Sequence, residues 1–142
     1  MDKKQVLGLL NQMSRNTLME TLEMEYIDLG EDFLKAKMPI NSRVYQPMGI
    51  LHGGATAALA ESVGSAASAV LMKSNEHDIR GIELAINHIK SKKEGILYAT
   101  AKLMHKGNTL HLWQVEIKDE EDKLISLAKI TNIVREKRED KG

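Results

Sequence analysis

The stretch from Val44 to Met72, VYQPMGILHGGATAALAESVGSAASAVLM, constrains this chain more than any other. Its first half is a loop punctuated by Pro47 and Gly49, both of which interrupt regular structure. Its second half is a run of small residues, in which Ala55, Ala57, Ala58, Ala60, Ala66, Ala67 and Ala69 favour helix over about five turns. Neither face is polar enough to lie on water, so the pattern predicts a helix buried nearly all round. Between Gly53 and Met72 the only charged side chain is Glu61. An ionised carboxylate in such surroundings is costly unless something pairs with it or uses it. That cost singles out Glu61.

The start of this helix is equally informative. First-turn N–H groups lack intrahelical partners and carry about half a positive charge between them. Gly53 and Gly54, after His52, remove the side chains that would cover those groups, so a ligand oxygen can approach the backbone. A bare helix N-terminus aimed at a carbonyl is an oxyanion hole, with the Gly53 N–H as its donor. Glu61 is then a candidate nucleophile or general base. Ser65, at i+4 on the same face, is placed to hold a water or the carboxylate. The amide of Gln46, in the loop just before the helix, can hydrogen-bond such a carbonyl or an attacking water.

These residues form the pattern QPxGxLHGGAxxxLAExxxS: Gln46, Pro47, Gly49, Leu51, His52, Gly53, Gly54, Ala55, Leu59, Ala60, Glu61 and Ser65. It resembles the signature of hotdog-fold acyl-CoA thioesterases, most closely the small enzymes acting on aryl-CoA thioesters such as 4-hydroxybenzoyl-CoA, hydroxyphenylacetyl-CoA and 1,4-dihydroxy-2-naphthoyl-CoA. The segments GIELAINHIKSKKEG and HKG followed by WQVEIKDEEDKL extend the match over nearly the whole chain. The resemblance implies hydrolysis of an acyl-CoA to free acid and coenzyme A, with no cofactor beyond the coenzyme A of the substrate. It implies that His52 helps to set the loop rather than acting as the base. It also implies a homodimer with shared active sites, and in this branch a homotetramer.

A basic group, Lys90, Lys92 and Lys93 with His88 and Ser91, falls where a strand gives way to a turn. Most such runs are solvated turns, but the phosphates of coenzyme A need cations at a protein edge. The resemblance places the nucleotide near this turn, together with His105, Lys106 and Gly107 from the next one.

The rest of the chain supplies a sheet. Val6, Leu7, Leu9, Leu10 and Met13 predict a short amphipathic helix from about Lys4 to Ser14, packed as a lid on the sheet. From Thr21 the period changes to two: Leu22, Met24 and Tyr26, then Leu34, Ala36 and Met38, predict a hairpin. The helix is expected to end near Lys73–Ser74–Asn75. Strands follow from Gly81, from Ile96 to His105, from Thr109 to Lys118 and from Leu124 to Val134, read as a meander, with turns at Ser91–Gly95, Lys106–Asn108 and Asp119–Asp122. The predicted class is α+β, the hotdog fold, with an antiparallel sheet wrapped around one long central helix and a short N-terminal helix. A charged tail is expected over residues 135–142.

With 142 residues the chain makes one domain, spanning 1–142. Twenty basic and twenty acidic residues give zero formal charge, which suggests neither nucleic acid nor a membrane surface as partner. The absence of cysteine excludes disulfides, thiolate metal sites and cysteine nucleophiles, and fits a cytoplasmic protein. The N-terminus lacks the apolar core of a secretion signal. No phosphate-binding, dinucleotide-binding, metal-triad or Gly-x-Ser-x-Gly motif is present, which disfavours nucleotide hydrolysis, hydride transfer, metal chemistry and serine hydrolysis. Two other readings stay open: a non-catalytic acyl-CoA sensor, and an acyl-thioester dehydratase or hydratase on the same fold. Sensors of that kind carry a DNA-binding module, for which only the short N-terminal helix is available. A dehydratase would use a catalytic histidine with an acidic partner, whereas His52 sits in a tight loop.

Overall fold

The computed structural model describes residues 1–73 and 75–138. Helix α1 spans Lys3–Met13 and α2 spans Leu18–Thr21; strands β1 (Glu25–Leu29) and β2 (Phe33–Ile40) follow. Helix α3, Gly53–Met72, then leads to β3 (His77–His88), β4 (Gly95–Lys106), β5 (Leu110–Lys118) and β6 (Leu124–Glu136). All strand pairs are antiparallel, and they make one six-stranded sheet in the order β1-β2-β4-β5-β6-β3. The helix lies across this sheet, as the hotdog fold requires.

The alternation read from the sequence sets the core. In β2 and β5 every second residue is buried, so Leu34, Ala36 and Met38 face the same interior as Trp113, Val115 and Ile117. Leu97, Ala99 and Ala101 of β4 complete the floor against Leu59, Ala60, Val63 and Ala67 of α3. Trp113 is core, as its apolar neighbours suggest. Helix α1 covers β1, where the Asn11 side chain bonds both the N–H and the C=O of Tyr26.

Three expectations change. The meander holds for β4, β5 and β6, but β3 lies on the far edge beside β6, while β4 pairs with β2. The reason is that α3 carries the chain across the sheet after β2, so β3 enters at the opposite side. The connection from His88 back to Gly95 must then pass two strands, about 14 Å at the usual inter-strand spacing. It does so along the sheet end, where Leu51 donates its N–H to the Lys92 carbonyl and the Tyr45 hydroxyl bonds that of Lys93. Second, the run Leu22–Tyr26 is not all strand. Thr17 caps the turn Leu18–Thr21, Glu23 takes a left-handed φ of 58°, and β1 starts at Glu25. Third, β6 continues to Glu136, past the expected start of the tail, and the Lys137 N–H bonds the Glu76 carbonyl. Ser74, at the expected helix end, and residues 139–142 of the tail lie outside the described residues.

Helix α3 also departs from burial on all sides. Thr56, Leu59, Ala60, Val63, Gly64, Ala67 and Ser68 face the sheet, while Gly54, Glu61 and Ala69 are exposed. The small residues let the helix sit close to the sheet on one side, with Gly64 against Ile130. The other side has no covering element within the described chain. By length and composition α3 is long and apolar enough to cross a membrane, but here it packs against five of the strands.

Candidate active site

The N-terminus of α3 is arranged by His52. Its backbone N–H bonds the Val44 carbonyl, and its own carbonyl accepts from Ala55 and Thr56. The ring Nδ1 accepts the Gly54 N–H at 2.7 Å, which fixes the proton on Nε2 and occupies the nitrogen a base would use. Ring and backbone together tie the loop to the first turn of α3. The Gly53 N–H makes no hydrogen bond among the described residues, so it is the open donor of the first turn.

His88 closes the other side of this position. Its Nδ1 lies 2.9 Å from Ser126 Oγ, and its Nε2 would be 2.7 Å from a Cβ added at Gly53. Only glycine fits there while the ring stays in place. A cleft of about 200 Å³ opens at this point, lined by Gln46, Gly53, Thr56, His88, Lys90 and Ser126 among others. Gln46 is oriented for it. Its backbone N–H and C=O are held by Ile50 and Gly49, and its Oε1 accepts the Met48 N–H. The side-chain NH₂ is thereby left to donate. Thr56 contributes a buried hydroxyl without a hydrogen-bond partner. The cleft is a set of donors gathered around one helix N-terminus, suited to an oxygen that gains negative charge.

Glu61 and Ser65 are not in that cleft. They sit two turns further along α3, above Gly81 of β3, where the register of β3 on β6 shifts. A Cβ at Gly81 would lie 3.1 Å from Glu61 Oε1, 3.7 Å from Ser65 Oγ and 3.6 Å from Asn132 Oδ1. Glu61 is exposed, so the burial cost inferred from its alanine surroundings does not arise within one chain. The helix is anchored beside it by Tyr26, whose hydroxyl donates to the Ser62 carbonyl and whose pKa burial pushes up to about 12.

The basic residues divide. Lys92 is held by Asp119 at 3.3 Å and Glu120 at 3.6 Å. Burial pulls its pKa down, but the bonds and charges of these two carboxylates outweigh that and leave it above the usual lysine value. It is a structural clamp, not a spare cation. Lys90 and Lys93 form no ion pair among the described residues, and Lys90 and Ser91 line the cleft. His105, Lys106 and Gly107 are elsewhere. His105 and Lys106 end β4 and Gly107 follows it; the strand is twelve residues long and its other end lies on the cleft side, so about 35 Å of strand separates the two groups. One chain does not bring them to a common nucleotide. A larger depression of about 320 Å³ on the outer face, among Lys35, Tyr98, Lys102, Glu116 and Lys118, holds paired charges and none of these residues.

With this geometry in view, comparison with known proteins is decisive. Residues 48–126 match the thioesterase superfamily. The chain belongs to that family. It is a thioester hydrolase. A thioesterase of Haemophilus influenzae superposes with a TM-score of 0.90 at 33% identity, over 96% of this chain and 94% of that one. The 1,4-dihydroxy-2-naphthoyl-CoA hydrolase of Escherichia coli is 37% identical over 93% of this thioesterase and 96% of its own length. A thioesterase of Staphylococcus aureus, 36% identical over 83–84% of this chain and 98–99% of its own, superposes with TM-scores of 0.80 and 0.81. It was solved with alanine replacing a glutamine in one structure and, fifteen residues later, a glutamate in the other. Gln46 and Glu61 of this thioesterase have the same spacing. Thr56, Gly81, Ser126 and Asn132 were not singled out by the sequence. Gly81 carried the one available signal, a glycine within a strand pattern, which marks a bulge or close approach.

Proposed function

We propose that this thioesterase hydrolyses acyl-CoA thioesters bearing aryl or other bulky acyl groups, at sites shared between two chains. The observation that carries the reading is the separation of two complementary half-sites on one helix. Gly53 and Glu61 are eight residues apart, about 12 Å at the helical rise. The donor and the attacking group must both come within about 3 Å of one thioester carbon and its oxygen. One straight helix cannot supply both. A second copy running antiparallel does, since its Glu61 then lies beside the first copy's Gly53.

Two features support such a pairing. Strand β3 is an edge of twelve residues with Ile82 57% exposed, and an unpaired edge is a template for another strand. The uncovered face of α3 bears small residues that allow a second helix close. A two-fold axis gives two equal sites per dimer. In each, the Gly53 N–H and the Gln46 amide hold the carbonyl oxygen, His52 keeps the loop in shape, and Glu61 attacks directly or deprotonates a water with Ser65 beside it. The spacing shared with the Staphylococcus aureus thioesterase supports the pairing of Gln46 and Glu61 in one reaction. The coenzyme A preference rests on Lys90 and Lys93 beside the cleft and on the substrate named for the Escherichia coli relative. Coenzyme A enters as part of the substrate, and the assembly we expect is a cytoplasmic homotetramer of two such dimers.

The test has two arms. Free-thiol release is measured over aryl- and alkyl-CoA thioesters; turnover of the aryl-CoA thioesters is expected, and no release from any acyl-CoA ends the reading. An inactive Glu61→Ala chain is then co-refolded with an inactive chain altered at Gln46 and His52. Random pairing makes half the dimers mixed, each with one intact site, so activity should return to about one quarter of wild type. No recovery despite proven chain exchange would mean that each chain carries a whole site.

A further inference from the structure

Behind Glu61 lies a buried polar network that the reading above does not use. Ser68 Oγ receives the Trp113 Nε1–H at 2.8 Å and the Asn132 Nδ2–H at 2.8 Å. A hydroxyl oxygen accepts two such bonds, so its own hydrogen must go to His111 Nδ1, 2.9 Å away. Burial, and then repulsion from nearby Lys106, His105 and His77, push the His111 pKa down, which agrees with a neutral ring. Asn132 also donates to the Gly64 carbonyl at 3.0 Å. Both hydrogens of its amide are therefore committed, and its orientation is fixed. Its Oδ1 is fully buried, has no hydrogen-bond partner, and points at the space beside Gly81 shared with Glu61 and Ser65.

An orphan acceptor fixed beside a carboxylate and a hydroxyl has a definite consequence. Ser65 has one hydrogen and faces two acceptors. Neither the carboxylate nor Asn132 Oδ1 is hydrogen-bonded to it in the structure, but all three atoms flank one small space at Gly81. While Glu61 is ionised, its carboxylate is the stronger acceptor for the Ser65 hydrogen, and Asn132 Oδ1 stays unpaired. Once Glu61 carries a proton, its O–H donates to Ser65 Oγ, and the Ser65 hydrogen turns to Asn132. We infer that Asn132 is a positioning residue that stabilises the protonated form of Glu61 through the Ser65 hydroxyl. This rests on Glu61 being the base. In the step it serves, water gives one proton to Glu61 while its oxygen bonds to the thioester carbon. The C–S bond then breaks, and the leaving thiolate takes the proton from Glu61.

Few other titratable groups face Glu61. Helix α3 carries no other charge, and the inward residues of β2 (Leu34, Ala36, Met38, Ile40) and β4 (Leu97, Ala99, Ala101) are apolar. From β5 comes neutral His111, and from β6 comes Asn132 itself, while Lys129 of β6 pairs with Glu83 of β3. Strand β3 adds Arg80 beside Gly81, with His77 and His88 at its ends.

The experiment is a pH profile of kcat and KM on an acyl-CoA that the enzyme hydrolyses. Asn132→Ala should lower plateau kcat about 10-fold, with KM within about 2-fold, and move the acid limb about one pH unit lower, because protonated Glu61 has lost its support. In a Ser65→Ala background the same change should leave the limb in place. Ser68→Ala, which loosens the network but spares Asn132 Oδ1, should cost thermal stability without moving the limb. If Asn132→Ala fails to fold, Ser65→Ala against Ser65→Thr decides: alanine shifts the limb and threonine, keeping the hydroxyl, restores it. An unmoved limb in Asn132→Ala, or equal shifts in Ser68→Ala, would reduce the network to a structural role. Full activity in Glu61→Gln would instead remove the base itself, so the two failures are distinguishable.

Discussion

The two ends of the proposed chemistry are built from opposite materials. Around the start of α3 everything donates: the Gly53 N–H, the Gln46 amide and the Nε2–H of His52, with Lys90 at the rim. Two turns along, around Gly81, everything accepts: the Glu61 carboxylate and Asn132 Oδ1, with Ser65 able to do either. A donor cluster alone polarises a carbonyl and leaves it intact. An acceptor cluster alone activates a nucleophile with nothing to attack. Keeping the two about 12 Å apart on one rigid helix prevents them from neutralising each other within a chain. In the dimer we propose, assembly is what unites them. Each half also leans on a glycine whose missing side chain makes room for a working group, His88 at Gly53 and Glu61 at Gly81.

The sharpest way to break this comparison is to disarm the acceptor half. Glu61→Gln preserves size and removes both basicity and nucleophilicity. Turnover should fall by at least about 10³-fold with acyl-CoA binding retained, since general-base or covalent steps contribute on that scale. Near-normal turnover would mean that the accepting half is incidental. The donor half is probed by Gly53→Ala. Its Cβ would meet His88 Nε2 at 2.7 Å, and that ring is tied to Ser126, so it cannot simply step aside. Losing the alignment of one oxyanion donor should lower kcat by about 10²-fold. Gly81→Ala is the gentler counterpart, because its Cβ would lie 3.1 Å from Glu61 Oε1 and asks for a shift of tenths of an ångström. A loss of about 10-fold, confined to kcat, is expected there. Should Gly81→Ala prove as harmful as Gly53→Ala, the two halves would not differ in tolerance as this geometry requires.

How much of this was legible depended on whether the signal was local. The period-two runs of β2 and β5 are written residue by residue, and so are the alanine run of α3 and the turns between the later strands. The position of β3 is not local. Whether it pairs with β4 or β6 depends on where α3 deposits the chain, and nothing between Gly81 and His88 encodes that. The same limit governed Glu61. Its alanine surroundings read as burial, yet burial is a property of what covers the helix, and the described chain covers one side only. Thr17 misled the reading of β1 because its capped turn keeps Leu22 and Met24 against the core, just as a strand would. Asn132 looked like an ordinary polar residue in a strand. Its interest comes from a vacancy at Oδ1 that only packing against Ser68 and Gly64 creates.

The lysines near the donor half give the smallest and most discriminating contrast, because three cations close in sequence have different surroundings. Lys90 and Lys93 form no ion pair among the described residues, whereas Lys92 is clamped by Asp119 and Glu120. Reversing charge at Lys90 and Lys93 should raise KM for acyl-CoA about 10-fold, leave kcat largely intact, and matter little for a short pantetheine thioester that lacks the nucleotide phosphates. Lys92→Ala should do neither. Its effect belongs to stability, a fall of about 2–4 °C in Tm at neutral pH. The pH dependence follows from its partner. Asp119 accepts backbone N–H bonds from Lys123 and Glu121 and the Lys92 ammonium, which hold its carboxyl below the usual range. A carboxylate with a depressed folded-state pKa stabilises the fold above its unfolded pKa, and that stability is lost as pH falls through the folded value. The gap in Tm between wild type and Lys92→Ala should therefore be full at neutral pH and shrink below about pH 4 as Asp119 takes up its proton. A gap that stays constant into acid would show that Lys92 serves through its packed stem rather than its charge, and a Lys92→Ala chain with raised KM would return it to the nucleotide.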